Sequence, residues 1–150
     1  MLAAPTQSPD TLYEQDETAW LERMADLIRT GRLEEVDYPH LAEYLSDMAR
    51  RDRREVESRL IVLMLRILKW TYQPDQRSGG WRSTIIAQRQ ELEGLVNSGV
   101  LRRHAEAILE SAYRKAVERA VAETSLPAAT FPADSPRPLD GWLSADLLGE

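Results

Sequence analysis

Leu60-Ile61-Val62-Leu63-Met64-Leu65-Arg66-Ile67-Leu68 is the stretch whose reading decides the fold. It is apolar except for Arg66. Val56, Leu60, Leu63, Met64, Ile67 and Leu68 recur at helical spacing and form the main stripe. Ile61, Val62 and Leu65 make the segment apolar on nearly every side, which places it in a core or beneath a partner subunit. Nine residues are too few to cross a bilayer, which takes about 20. No Gly or Pro interrupts the chain from His40 to Gln73. The pattern allows one helix here, or two that break near Arg50 to Asp52. Unbroken, it would be roughly 50 Å long at ~1.5 Å per residue.

Upstream, Asp37-Tyr38-Pro39 combines a capping acid with a first-turn proline and starts this helical region. Leu41, Leu45 and Met48 share one face. Thr11-Leu12-Tyr13-Glu14 matches a capping box, which predicts a helix to about Thr30 with Trp20, Met24, Leu27 and Ile28 inward. Gly31 suits the left-handed position beyond its end. Residues 1–9, with two prolines and little periodicity, read as a flexible leader.

Downstream, Gln73 to Gly80 is punctuated by Pro74, Ser78, Gly79 and Gly80 and reads as a loop. A helix is expected from about Arg82 to Val96, with Ile85, Leu92, Leu95 and Val96 inward, ended by Asn97-Ser98-Gly99. Another is expected over roughly Leu101 to Glu123. Its stripe is Leu101, Ala105, Ile108, Leu109, Ala112, Ala116 and Ala120, where alanine permits close helix packing. Glu55 with Arg59, Arg53 with Glu57, and Glu110 with Arg114 stand at i,i+4 spacing, a surface pattern. Pro127, Pro132, Pro136 and Pro138 then force an extended or turning course. The expected architecture is all-α: a single-domain bundle of about five helices over 10–124. A Pro-rich strap over 125–150 packs along it and ends in a short helix near Leu139 to Leu148.

The whole chain has 150 residues, 43% hydrophobic and 29% charged, the composition of a foldable domain. With no cysteine there is no disulfide framework, thiol nucleophile or Cys-ligated zinc. Two histidines argue against a His-rich metal site. Phosphate-cradling Gly loops, nucleophile elbows and HExxH are absent from the sequence. No catalytic, cofactor-binding or metal residue is therefore assigned, and no cofactor is expected. Neither a secretory signal nor a membrane span is recognisable, which gives a cytoplasmic expectation.

Charge is uneven. Residues 10–47 hold 11 acids and 3 bases, residues 48–119 hold 15 bases and 9 acids, and residues 120–150 hold 5 acids and 1 base. A net charge of −6 argues against a general nucleic-acid binder. Acidic ends packed beside a basic middle, within a chain or across a dimer, account for the pattern. Of the bases 17 are Arg and 2 are Lys.

Three clusters stand out. Lys69, Trp70, Tyr72, Arg77, Trp81 and Arg82 form a candidate interaction surface, able to stack bases and contact phosphates. The structural alternative, a helix end with buried rings and hydrogen-bonded tips, ranks ahead of it. Glu14, Asp16, Glu17, Glu22 and Asp26 form a candidate acidic surface. Arg66, inside the apolar stretch, needs a carboxylate or a route to solvent. Glu43 and Asp47 are the candidate partners for a buried ion pair, with Asp16 a further one.

The order of several motifs resembles one family. Tyr13-Glu14-Gln15-Asp16, Trp20, Leu27-Ile28-Arg29-Thr30-Gly31-Arg32 and Asp37 resemble its N-terminal half. Arg53-Arg54-Glu55-Val56-Glu57-Ser58-Arg59-Leu60, Leu68-Lys69-Trp70 and Tyr72-Gln73-Pro74 resemble its centre, continued by Trp81-Arg82-Ser83-Thr84-Ile85 and Gln88-Arg89. Leu126-Pro127 and Thr130-Phe131-Pro132 resemble its C-terminal segment. The whole, over roughly residues 12 to 148, is similar to the bacterial domain of unknown function 29 family. That resemblance implies a small all-helical protein without an established activity. The chain departs from it at Arg66, where relatives often carry His, and at Glu43-Tyr44, where they often carry paired Glu. It departs again at Gly79-Gly80, where they often show Ser.

The expected function is a non-catalytic protein-interaction or regulatory module, binding another protein or itself. The first alternative is an acidic regulator or inhibitor of nucleic-acid machinery, antitoxin-like or DNA-mimic-like. A single-strand nucleic-acid binder and a metal-dependent hydrolase using Asp16, His40, Glu43 and Asp47 rank behind these.

Overall fold

The computed structural model of the chain describes residues 9–144 and Leu148. Among these the fold is all-α, with seven α-helices and no strand. They are α1 (Pro9–Gln15), α2 (Glu17–Arg29), α3 (Tyr38–Tyr72), α4 (Gly79–Leu95), α5 (Gly99–Ala107), α6 (Leu109–Thr124) and α7 (Leu139–Trp142). Six of them, α1 to α6, stand where about five were expected over 10–124: the helices expected to about Thr30 and over Leu101 to Glu123 are each divided, and α7 lies where the short terminal helix was expected. Residues 1–8 of the leader expected over 1–9, and residues 145–147 of the expected terminal helix, lie outside the described residues; Pro9, the last of that leader, starts α1.

The first division falls at Asp16. Its Oδ1 accepts a hydrogen bond from the Ala19 amide at 3.0 Å, so Asp16 caps α2 and separates it from α1. The expected capping box therefore does not start this region: Thr11 lies inside α1, which begins at Pro9. The second division is Ile108, with φ −96° and ψ 3° between α5 and α6. Its amide still donates to the His104 carbonyl at 3.0 Å. α3 is continuous over 35 residues, which settles the one-or-two question for that region. The loop expected through Gly80 ends earlier, because Ser78 Oγ accepts from the Trp81 amide at 3.2 Å and starts α4 at Gly79.

Two compact units divide at Ala49–Arg50. In the first, α1, α2 and the start of α3 surround four buried side chains, Trp20, Met24, Leu27 and Val36. Leu12, Tyr13, Leu21, Leu41 and Tyr44 pack against them. Gly31 takes the left-handed backbone that α2's end requires, at φ +75°.

The second unit is organised by α3 from residue 50 onward. Val56, Leu60, Leu63 and Met64 are fully enclosed, and Ile61, Leu65, Ile67 and Leu68 nearly so. Arg59 meets Gln88, and Lys69 lies over Trp81, so α4 runs back along α3. Glu57 pairs with Lys115 and Lys69 with Glu123, so α6 runs in the same sense as α3. Ala112, Ala116 and Ala120 are fully buried on α6. Their small side chains let that helix approach its neighbours closely. Phe131, Leu139, Trp142, Leu143 and Leu148 join the same buried cluster. Polar ties hold them there: Tyr113 donates to the Pro132 carbonyl at 2.6 Å, Trp142 Nε1 to Ser135 Oγ at 2.9 Å, and Arg102 pairs with Asp140 at 2.7 Å.

Candidate functional site

The first unit carries an unusual surface. Six large hydrophobic side chains lie exposed among the described residues, and five of them, Ile28, Leu33, Tyr38, Leu45 and Met48, belong to this unit. Tyr38, Leu45 and Met48 recur at helical spacing along the start of α3. Leu45 is 59% exposed and Ile28 50%. Ile28, expected inward with Trp20, Met24 and Leu27, faces out, and so do Leu45 and Met48 of the face expected to hold Leu41. Five large apolar side chains exposed within one unit exceed the single, scattered exposures that need no explanation.

A polar clamp sets the direction of that helix. Asp37, just before α3, accepts from the His40 amide at 3.4 Å. Its other oxygen lies 2.7 Å from His40 Nδ1 and accepts from Trp20 Nε1 at 3.4 Å. The His40 ring stacks on Tyr13 at 4.2 Å, and Tyr13 meets Trp20 edge-on at 4.8 Å. One carboxylate thus joins α2 to α3, and one imidazole joins α3 to α1. Burial pushes the Asp37 carboxyl up, but hydrogen bonds and charge from His40, with Trp20, outweigh it and hold the group below the usual aspartate value. Partial burial raises the Tyr13 hydroxyl, and the carboxylates of Glu43, Glu17, Asp47 and Asp37 raise it further.

The acidic surface expected from sequence is present as exposed side chains. Glu14, Asp16, Glu17, Glu22 and Asp26 all face solvent. Asp16 is also the α2 cap. Arg32 is committed to Glu35 through two nitrogens, at 2.6 and 2.8 Å, which depresses the Glu35 carboxyl.

The expected interaction surface around Trp81 is gathered in the second unit, but much of it is engaged internally. Lys69 Nζ sits 3.1 Å from Glu123 and 4.6 Å from the Trp81 ring centre. Arg77 donates to the Trp70 carbonyl at 2.8 Å and lies 4.8 Å over the Trp70 ring. Tyr72 packs edge-on against Phe131 at 5.1 Å. Arg82 is exposed at the start of α4. Two cations cover ring faces that base stacking would need.

Arg66 is half-buried, with Nε enclosed and lacking a hydrogen-bond partner. Among the described residues it forms no ion pair; Glu43 and Asp47, its expected partners, belong to the other unit. Its stem lies among the apolar side chains of α3, leaving the far nitrogens as its route to water. Asp16, His40, Glu43 and Asp47 are not gathered as a ligand set: no group of three or more His, Asp or Glu among the described residues is placed to hold a metal ion. Among those residues, too, no helix is long and apolar enough to cross a membrane.

A family model described as a domain of unknown function, DUF29, matches residues 12–148. The chain belongs to the DUF29 family. No curated protein and no solved structure matches this DUF29 chain. Sequence reasoning about it missed the Asp37–His40 pair as a structural element. The signal was an Asp-x-x-His spacing at a helix start, which puts the imidazole back over the capping acid.

Proposed function

We propose that this chain is a non-catalytic interaction module of the bacterial cytoplasm, regulating a protein partner through its first unit. The observation that carries the reading is the concentration of exposed apolar side chains there, Ile28, Leu33, Tyr38, Leu45 and Met48. Residues 10–47 hold 11 acids against 3 bases, a balance that favours a partner whose own apolar surface is bordered by Lys or Arg.

The test compares the full chain with a Leu45→Asp/Met48→Asp variant as baits in host extract treated with nuclease. A stoichiometric protein recovered by the native chain and lost by the variant supports the reading. Equal recovery by both sinks it.

A second reading rests on the exposure of Glu14, Asp16, Glu17, Glu22 and Asp26. These acids would occupy the basic surface of a protein that handles nucleic acid. Binding of that kind weakens steeply with salt. It would survive the Leu45 and Met48 changes and be lost on reversing Glu22 and Asp26 to Lys.

A further inference from the structure

The second unit contains a cavity of about 380 Å³ between α6 and the Ala128–Ala133 stretch. Tyr113, Val117, Ala129, Phe131 and Pro132 line it, with Arg114 beside them. Its size falls at the small end of the ~300–1,000 Å³ typical of ligand sites. The one hydroxyl in the wall is already used, since Tyr113 donates to the Pro132 carbonyl at 2.6 Å. Burial pushes that hydroxyl up to about 12, helped by Tyr72, Glu110 and Asp134, so it carries no charge near neutrality. The wall therefore asks for an apolar ligand body.

Charge at the rim selects the ligand's head. Arg114 has no hydrogen bond or ion pair among the described residues. The Glu110 that stands one turn before it is turned to the chain instead, where Oε2 accepts the Ser135 amide at 3.1 Å. Asp134 is the other acid close to the Tyr113 hydroxyl, and it is exposed to solvent screening. We infer that this cavity is a binding site for a small amphiphilic carboxylate, its apolar chain against Val117, Ala129 and Phe131 and its carboxylate on the Arg114 guanidinium. Guanidinium is suited to that head because its planar fork meets both carboxylate oxygens.

The experiment titrates the full chain with octanoate, octanol and octylamine, following the Val117 and Ala129 methyl resonances by NMR. Octanoate is expected to bind most tightly and octylamine least, at one site. Arg114→Gln should weaken octanoate about fivefold and leave octanol unchanged. Ala129→Trp, at an exposed position that leaves the core alone, should abolish binding of all three with an unchanged melting temperature. Equal affinity for the three probes, or preference for the amine, would overturn the assigned head group. No methyl shift at about 5 mM probe, near the weak end of measurable affinity, would overturn the site. So would octanoate binding that Ala129→Trp leaves intact.

Discussion

His40 Nδ1 lies 2.7 Å from Asp37 Oδ2, one turn away at the start of α3, and Asp37 has only 6% of its side chain exposed. A single carboxylate therefore serves as helix cap, histidine partner and acceptor for the Trp20 indole. Three helices of the first unit meet through this pair and the Tyr13 ring stacked on it.

The pH response follows from that geometry. The Asp37 carboxyl is held below its ordinary value of ~3.9, so its contribution is fully present above that value. It is lost as pH falls through the lower, folded value. Melting temperature of the native chain should therefore decline below about pH 4. Asp37→Asn should flatten that part of the decline, and Asp37→Ala should cost ~1–2 kcal/mol at pH 7 by removing the cap as well. An identical acid limb in Asp37→Asn refutes the assignment.

Arg66 should be replaceable by an apolar residue of similar length. Its Nε is enclosed without an acceptor, which is a desolvation cost without compensation. Arg66→Met is expected to hold or raise the melting temperature, by up to about 3 °C for ~1 kcal/mol in a chain of this size. Arg66→Glu, which puts a carboxylate in the same apolar stretch, should lower it. A fall in Arg66→Met would mean that the guanidinium has a stabilising partner after all.

Two left-handed positions give opposite expectations. Gly31 has φ +75° and open space where a Cβ would stand, so Gly31→Ala is penalised by backbone alone, ~1 kcal/mol, and Gly31→Asn by less. Ser125, at φ +61° beyond α6, is a non-glycine residue in the same region. Ser125→Gly should stabilise by ~0.5–1 kcal/mol. Urea unfolding of the three variants, with the slope unchanged, is the measurement.

Exposed and buried members of α3 should separate cleanly. Leu45→Asp and Met48→Asp should leave stability within ~0.5 kcal/mol of the native chain, since both side chains already face solvent. Leu63→Ala, at a fully enclosed position, should cost ~2–5 kcal/mol. If Leu45→Asp proves as damaging as Leu63→Ala, the face is covered in solution by something the chain itself provides, such as a second copy.

Much of the fold is written in local patterns. Leu60 to Leu68 announces its burial by being apolar on most sides, and Gly31 and the Asp37-Tyr38-Pro39 start carry their backbone chemistry in their residue types. The breaks are harder. Ile108 offers neither Gly nor Pro, so nothing local marks the end of α5. Asp16 is a good cap that sits within an otherwise continuous helical pattern. The candidate surface shows a different limit. Periodicity places Ile28, Leu45 and Met48 together with core residues, but whether anything covers a face depends on the tertiary neighbours. The Trp81 cluster illustrates the reverse: its residue types invite a stacking platform, while Lys69 and Arg77 spend themselves on the rings and on nearby acceptors.

Four buried side chains are a small core for the first unit, and this has a consequence for its amides. A body of this size encloses too little apolar surface to resist frequent local opening. Its backbone hydrogens on α2 should exchange with deuterated solvent orders of magnitude faster than those near Leu63. Whatever seats itself against Tyr38, Leu45 and Met48 would then slow that exchange across the whole unit, far from its own footprint. Occupancy would be legible in the isotope content of the Trp20 helix before any contact had been mapped.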